Sequence, residues 1–110
     1  PKMVLALLYV LTNAIEAVSE SDPPRTIHIG TQVLDEGVEI TILNSGKPIP
    51  AGQHEAVFDP FVTTKSGLHL GLGLTLARQI AHLHAGKLVY HADRGFVFTI
   101  PRSGLAVEMD

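Results

Sequence analysis

The sequence predicts an α+β fold: a two-layer sandwich with a mixed, mostly antiparallel sheet of about four strands and helices on one face. Three observations carry that reading. Two segments repeat their apolar residues at a helical period, two pairs of segments alternate at the period of a strand, and each strand pair is joined by a tight turn. Strands joined as hairpins, without helical crossovers, pair antiparallel, which sets this order apart from a doubly wound sheet.

Val4, Leu8, Leu11, Ile15 and Val18 recur at helical spacing and predict an amphipathic helix over 2–19, ended by Asp22-Pro23-Pro24. Ile27 and Ile29 alternate with His28 and Gly30 in a strand over 25–34, and Asp35-Glu36-Gly37 turns the chain into a second strand over 38–43. Gly, Pro and Ser punctuate residues 44–70, which read as a long loop with at most a short helix near 53–57. Leu72, Leu76, Ile80 and Leu83 form one face of the next helix, with Thr75, Arg78, Gln79 and His82 opposite and Ala85-Gly86 closing it. Strands over 87–92 and 96–101 flank the three-residue connection Asp93-Arg94-Gly95. The domain therefore reads as 1–102, with 103–110 a polar or frayed tail.

A chain of 110 residues that is 45% hydrophobic suffices for one compact domain. Eight Lys and Arg against 11 Asp and Glu leave a formal charge of -3 and no basic stripe, which argues against nucleic acid as a partner. The absence of Cys excludes disulfide and thiol chemistry and fits a reducing, cytoplasmic compartment. The longest apolar run, Met3 to Leu11, is shorter than the roughly 20 residues that cross a bilayer, so no direct membrane contact is expected of this domain. The cytosolic part of a membrane receptor would look the same.

The functional signal is concentrated in VFDPFVTTKSGLHLGLGLTLARQIAHLHAGKL at 57–88. Gly67, Gly71 and Gly73 leave no side chain between backbone and ligand, and the helix that follows aims its unpaired N–H groups at an anion. A phosphate cradle of this kind serves several nucleotide-binding folds.

Four blocks narrow it: LTNAIEA at 11–17, NSGKPIP at 44–50, FDPF at 58–61 and GLGL at 71–74. Their order and spacing resemble the N, G1, F and G2 boxes of the ATP-binding catalytic domain of sensor histidine kinases, over about 2–102. The resemblance implies the Bergerat fold shared with gyrase-type ATPases and Mg-ATP held beneath a lid. It also implies transfer of the γ-phosphate to a histidine on a separate helical dimerisation domain, of the same or a partner chain, in two-component signalling with a response regulator. The family usually carries a strand pair ahead of its first helix. The sheet expected here lacks those first strands and leaves an edge open to a partner.

By the resemblance, Asn13 is the N-box asparagine that holds Mg²⁺, a hard cation that takes oxygen ligands and keeps several waters. Tyr9, Asn13 and Glu16 share one stripe of the helix. Tyr9 stands where the family usually has Asn and gyrase-type relatives have a catalytic Glu. A Tyr does not deprotonate water at neutral pH, which disfavours hydrolysis while leaving phosphotransfer, where the histidine is the nucleophile. Asn44 replaces the G1 aspartate that reads the base. Its oxygen accepts from an adenine amine as the carboxylate does, but its nitrogen could donate to a guanine carbonyl, leaving ATP versus GTP open. Gly46 keeps the first glycine of that box, Pro48 replaces the second, and Ile49 follows.

The resemblance implies that Phe58 and Phe61 anchor the lid, and Thr64 and Lys65 follow, Lys65 placed to reach the terminal phosphates as the second catalytic residue beside Asn13. Gly71, Leu72, Gly73 and Leu74 complete the nucleotide site, with His69 where the family often has glycine. His82 and His84 point in different directions, so a zinc site is not expected. His54-Glu55 resembles the opening of a phosphoacceptor motif but lies in the loop, so the acceptor histidine is expected on another domain. Tyr9, Asn44, Pro48 and His69 keep open a degenerate nucleotide-binding or interaction module without kinase activity. A serine kinase of the anti-sigma-factor type, which shares the fold, is the third reading.

Overall fold

Alternation along β4 (Gly95–Pro101) turns Phe96, Phe98 and Ile100 to one side, and all three are buried. Their strand neighbours share that side. Ile42, Ile40 and Val38 stand opposite them on β2 (Gly37–Asn44), and Tyr90 and Leu88 stand opposite Phe96 and Phe98 on β3 (Lys87–His91). With β1 (Ile27–Leu34) paired along the whole of β2, the order is β1-β2-β4-β3. The structure, a computed structural model, describes residues 2–60 and 72–105. Among these every strand pair is antiparallel, so the sheet is not mixed: two hairpins join through β2 and β4 without a crossover.

Two helices cover the apolar face, α1 (Lys2–Ser19) and α2 (Gly73–Leu83), and single 3-10 turns at Ala51–Gln53 and Ala56–Phe58 take the place of the short helix expected near 53–57. The buried face of α1 is not the one its spacing predicts. Ala6, Val10 and Ala14 are fully buried, while Val4, Leu8 and Ile15 are 53%, 51% and 51% exposed. On α2 the buried residues are Ala77, Ile80 and Ala81, and Leu76 and Leu83 lie in the open. The helices pack against each other, and close approach of two backbones selects small side chains at the contact over the bulkiest apolar ones. Ala81→Leu is therefore expected to cost about 1–3 kcal/mol by overpacking, whereas Leu83→Ala should stay within about 0.5 kcal/mol of the parent. Urea denaturation of the two variants checks this, and the reverse ranking would restore the face that spacing predicts.

By length and composition α1, with a mean hydropathy of 1.4 over 18 residues, is apolar enough to cross a membrane, which counting the run from Met3 to Leu11 did not register. Here it serves as a covering helix of the sheet.

The ends of α2 and β4 lock together. Ala85 takes the left-handed conformation (φ 58°), and the Gly86 N–H returns to Ala81 O at 2.9 Å. Gly86 is needed for space, since a Cβ there would collide with Thr99 O. After β4 the chain forms a short helix, α3 (Arg102–Leu105), where the sequence suggested the start of a tail. Gly104 is buried so tightly that a Cβ would strike His84 O, and Arg102 binds the first hairpin turn through Glu36 O and Asp35 O, both at 2.8 Å. Residues 106–110 lie outside the described ones.

Candidate nucleotide site

The sheet, α1, the loop after β2 and the start of α2 enclose a cleft of about 1700 Å³. Small-molecule sites commonly occupy about 300–1,000 Å³, so a nucleoside triphosphate fits here with its ion and water. A second hollow, against the open face of the sheet beside Arg94, holds about 210 Å³ and is too small. Helical spacing on α1 brings Tyr9, Asn13 and Glu16 to the cleft wall as their shared stripe predicts, and Asn44, Gly46 and Ile49 supply the loop wall.

Leu72, Gly73 and Leu74 line the cleft at the N-terminus of α2. Among the described residues no side chain caps this end, and its first amides, which have no partner within the helix, are suited to an anion. Tyr9 packs beside them, its Cβ and ring about 3.8 Å from where a Gly73 Cβ would lie.

Asn44 donates through Nδ2 to Ser45 O at 2.8 Å. A carbonyl oxygen only accepts, so the amide orientation follows from chemistry: Nδ2 faces Ser45 O, and Oδ1 and the second Nδ2 hydrogen remain for a ligand. Ser45 is itself pinned ahead of β1, its Oγ donating to Pro24 O at 2.9 Å and accepting from the Thr26 N–H at 2.8 Å.

Charge in the cleft is unbalanced. Among the described lining residues Glu16, Glu20, Asp22 and Asp93 face a single ammonium, that of Lys47. A polyphosphate entering here needs positive charge brought with it or supplied from outside these residues. No group of three His, Cys, Asp or Glu able to hold a metal occurs among the described residues. Asn13 is half-buried in the wall, and no described residue hydrogen-bonds its amide. A neutral oxygen donor of this kind fits Mg²⁺ that arrives with phosphate ligands, not an ion caged by protein alone.

Phe58 stands behind the cleft and does not line it. Its ring is 4% exposed, edge-on to Phe96 at 6.0 Å, with the Arg78 guanidinium 4.4 Å from its centroid. Thr75 Oγ donates to Phe58 O at 2.7 Å, and Arg78 pairs with Glu55 at 2.9 Å, so residues expected on the outer face of α2 tie the loop to it. Phe58 thus packs behind the cleft and is absent from its described lining. Phe61, Thr64, Lys65 and Gly71, along with Gly67 and His69, lie outside the described residues.

Sequence reasoning passed over Val57, Tyr90 and Phe96, which also line the cleft. Tyr90 carried a usable signal, a hydroxyl among the apolar residues of a strand, since a buried phenol generally has a partner. That partner is the Ile49 N–H, at 3.0 Å from Oη.

A family model described as histidine kinase-, DNA gyrase B-, and HSP90-like ATPase matches the chain over residues 1–104. The chain belongs to this family. Within it, the sensor protein TdiS of Thauera aromatica is 34% identical over 102 residues, covering 86% of this chain and 18% of that protein. Sensor histidine kinase ZraS of Escherichia coli (strain K12) is 32% identical over 101 residues, covering 90% of this chain and 21% of that protein. The chain thus spans about a fifth of the length of these curated relatives. The nucleotide-free catalytic domain of histidine kinase ThkA superposes with a TM-score of 0.76 at 33% identity, covering 92% of this chain and 67% of that one. ThkA solved in complex with the response regulator protein TrrA gives 0.71 at 34% identity, covering 91% of this chain and 28% of that one. The fold is that of the ATP-binding catalytic domains of histidine kinases.

Proposed function

We propose that this domain binds Mg-ATP in the cleft and passes the γ-phosphate to a histidine on a separate helical dimerisation domain, of the same or a partner chain, from which a response regulator takes it. The observation that carries this reading is one cleft lined by Asn13, Asn44 and the uncapped N-terminus of α2. The family supplies the nucleotide class, and the complex of ThkA with TrrA supports a response regulator as the onward partner.

Each residue has a role fitted to its chemistry. Asn44, held through one Nδ2 hydrogen on Ser45 O, offers Oδ1 to the exocyclic amine of adenine. The α2 amides hold phosphate oxygens. Asn13 holds Mg²⁺ together with those oxygens, and Lys65 adds a cation at the terminal phosphate. Bound Mg²⁺ would supply the positive charge toward the polyphosphate that the acidic cleft lacks. No general base is needed, because the acceptor imidazole is its own nucleophile; what the protein contributes is alignment and electrostatics, and Tyr9 packs without taking a proton. The domain works in the cytosol, as the cytosolic part of a sensor, in keeping with its lack of Cys.

Incubation with γ-labelled ATP and a histidine-bearing helical domain supplied in trans tests this directly. Label that is stable to alkali and lost in acid marks phosphohistidine and is the expected result. Acid-stable label on serine would assign the serine-kinase reading, and nucleotide binding without transfer would leave an interaction module.

A further inference from the structure

The segment Pro48-Ile49-Pro50 has one backbone N–H, that of Ile49, because proline has none. It lies in neither a helix nor a strand. Both backbone polar atoms of Ile49 are nevertheless taken, and by side chains from two other parts of the chain. The N–H donates to Tyr90 Oη at 3.0 Å, across 41 residues of sequence. The carbonyl oxygen lies 2.9 Å from His54 Nε2, and since it only accepts, Nε2 carries the proton. The two side chains also hold each other, ring centroids 4.8 Å apart at 68°, and Tyr90 sits edge-on to Phe96 at 5.0 Å and 65°.

Ile49, Tyr90 and Phe96 line the cleft together with Asn44, while His54 stands behind Ile49. We infer that Tyr90 and His54 are positioning residues for the nucleobase: they clamp Ile49 from its two backbone atoms and so fix the apolar wall against which the base packs. This inference rests on the reading of Asn44 as the base contact. Without the phenol oxygen, the Ile49 N–H has no partner and the Pro-Ile-Pro segment loses the bond that orients it.

The clamp acts at the base and is blind to the phosphates. Tyr90→Phe keeps the ring packing and is expected to weaken ATP, ADP and adenosine by the same factor, roughly five- to tenfold. His54→Leu should do the same, and His54→Gln, which retains an N–H donor of similar reach, should return affinity to within about twofold of the parent. In nucleotide-free protein, Tyr90→Phe should accelerate hydrogen exchange at the Ile49 amide and leave the amides of β4 unchanged. Unchanged affinity in Tyr90→Phe would overturn the clamp, as would a loss confined to ATP or faster exchange throughout β4. A folded parent protein that bound none of the three ligands would overturn the reading of the site itself, whereas parent binding with Tyr90→Phe unchanged overturns the clamp alone.

Discussion

Phe98→Ala is expected to cost roughly 3–5 kcal/mol, a large part of the roughly 5–15 kcal/mol that holds a domain of this size folded. Phe98 is fully buried at the middle of β4, between Ile40 on one neighbouring strand and Leu88 on the other. It belongs to the same core cluster as Ala6, Val10, Ala77 and Ala81 of the helices. Truncation removes the transfer energy of the ring and leaves a cavity that close-packed backbone on both sides does not let collapse. Phe98→Leu, which keeps most of the volume, should lose less than about 1.5 kcal/mol. Urea denaturation of the two variants measures the difference. A cost below about 1 kcal/mol for Phe98→Ala would mean that β4 is not the centre of the core.

Asn13→Ala should leave the fold intact and abolish the use of Mg-ATP. Alanine is the better helix former, Asn13 lies within α1, and no described residue bonds its amide, so the substitution takes nothing measurable from stability. Its effect falls on the ion. If Asn13 Oδ1 completes the Mg²⁺ shell with phosphate oxygens, its loss should lower phosphotransfer by at least about 100-fold and weaken Mg-ATP binding far more than binding of nucleotide in EDTA. Equal phosphotransfer by the parent and Asn13→Ala would remove Asn13 from the ion's coordination.

How much of this was legible in the sequence depends on how local the cause was. The bounds of α1 and the two hairpins are set by periodicity and by turn residues within a few positions. α1 accordingly spans Lys2–Ser19 as expected, and Gly95 sits at the second hairpin with a φ of 79°. The buried face of α1 was not legible, because periodicity reports the largest apolar residues while the core shared with α2 and the sheet took in small ones, Ala6 and Ala14. Three of the four motif blocks located the cleft and supply about half of its described lining. They gave no sign that Asn44 is held through Nδ2, since that depends on the Ser45 carbonyl and on the turn that pins Ser45 to residues ahead of β1. The bond between Tyr90 and Ile49 joins a strand to a proline-flanked loop and exists only once the sheet has formed.

The most direct measurement is a calorimetric titration of the folded chain with Mg-ATP and with Mg-GTP. The proposed contact of Asn44 Oδ1 with the adenine amine predicts one molecule of ATP bound per chain in the cleft and GTP bound about tenfold or more weakly. A protein that keeps its near-ultraviolet circular dichroism and takes up neither nucleotide would contradict the nucleotide site.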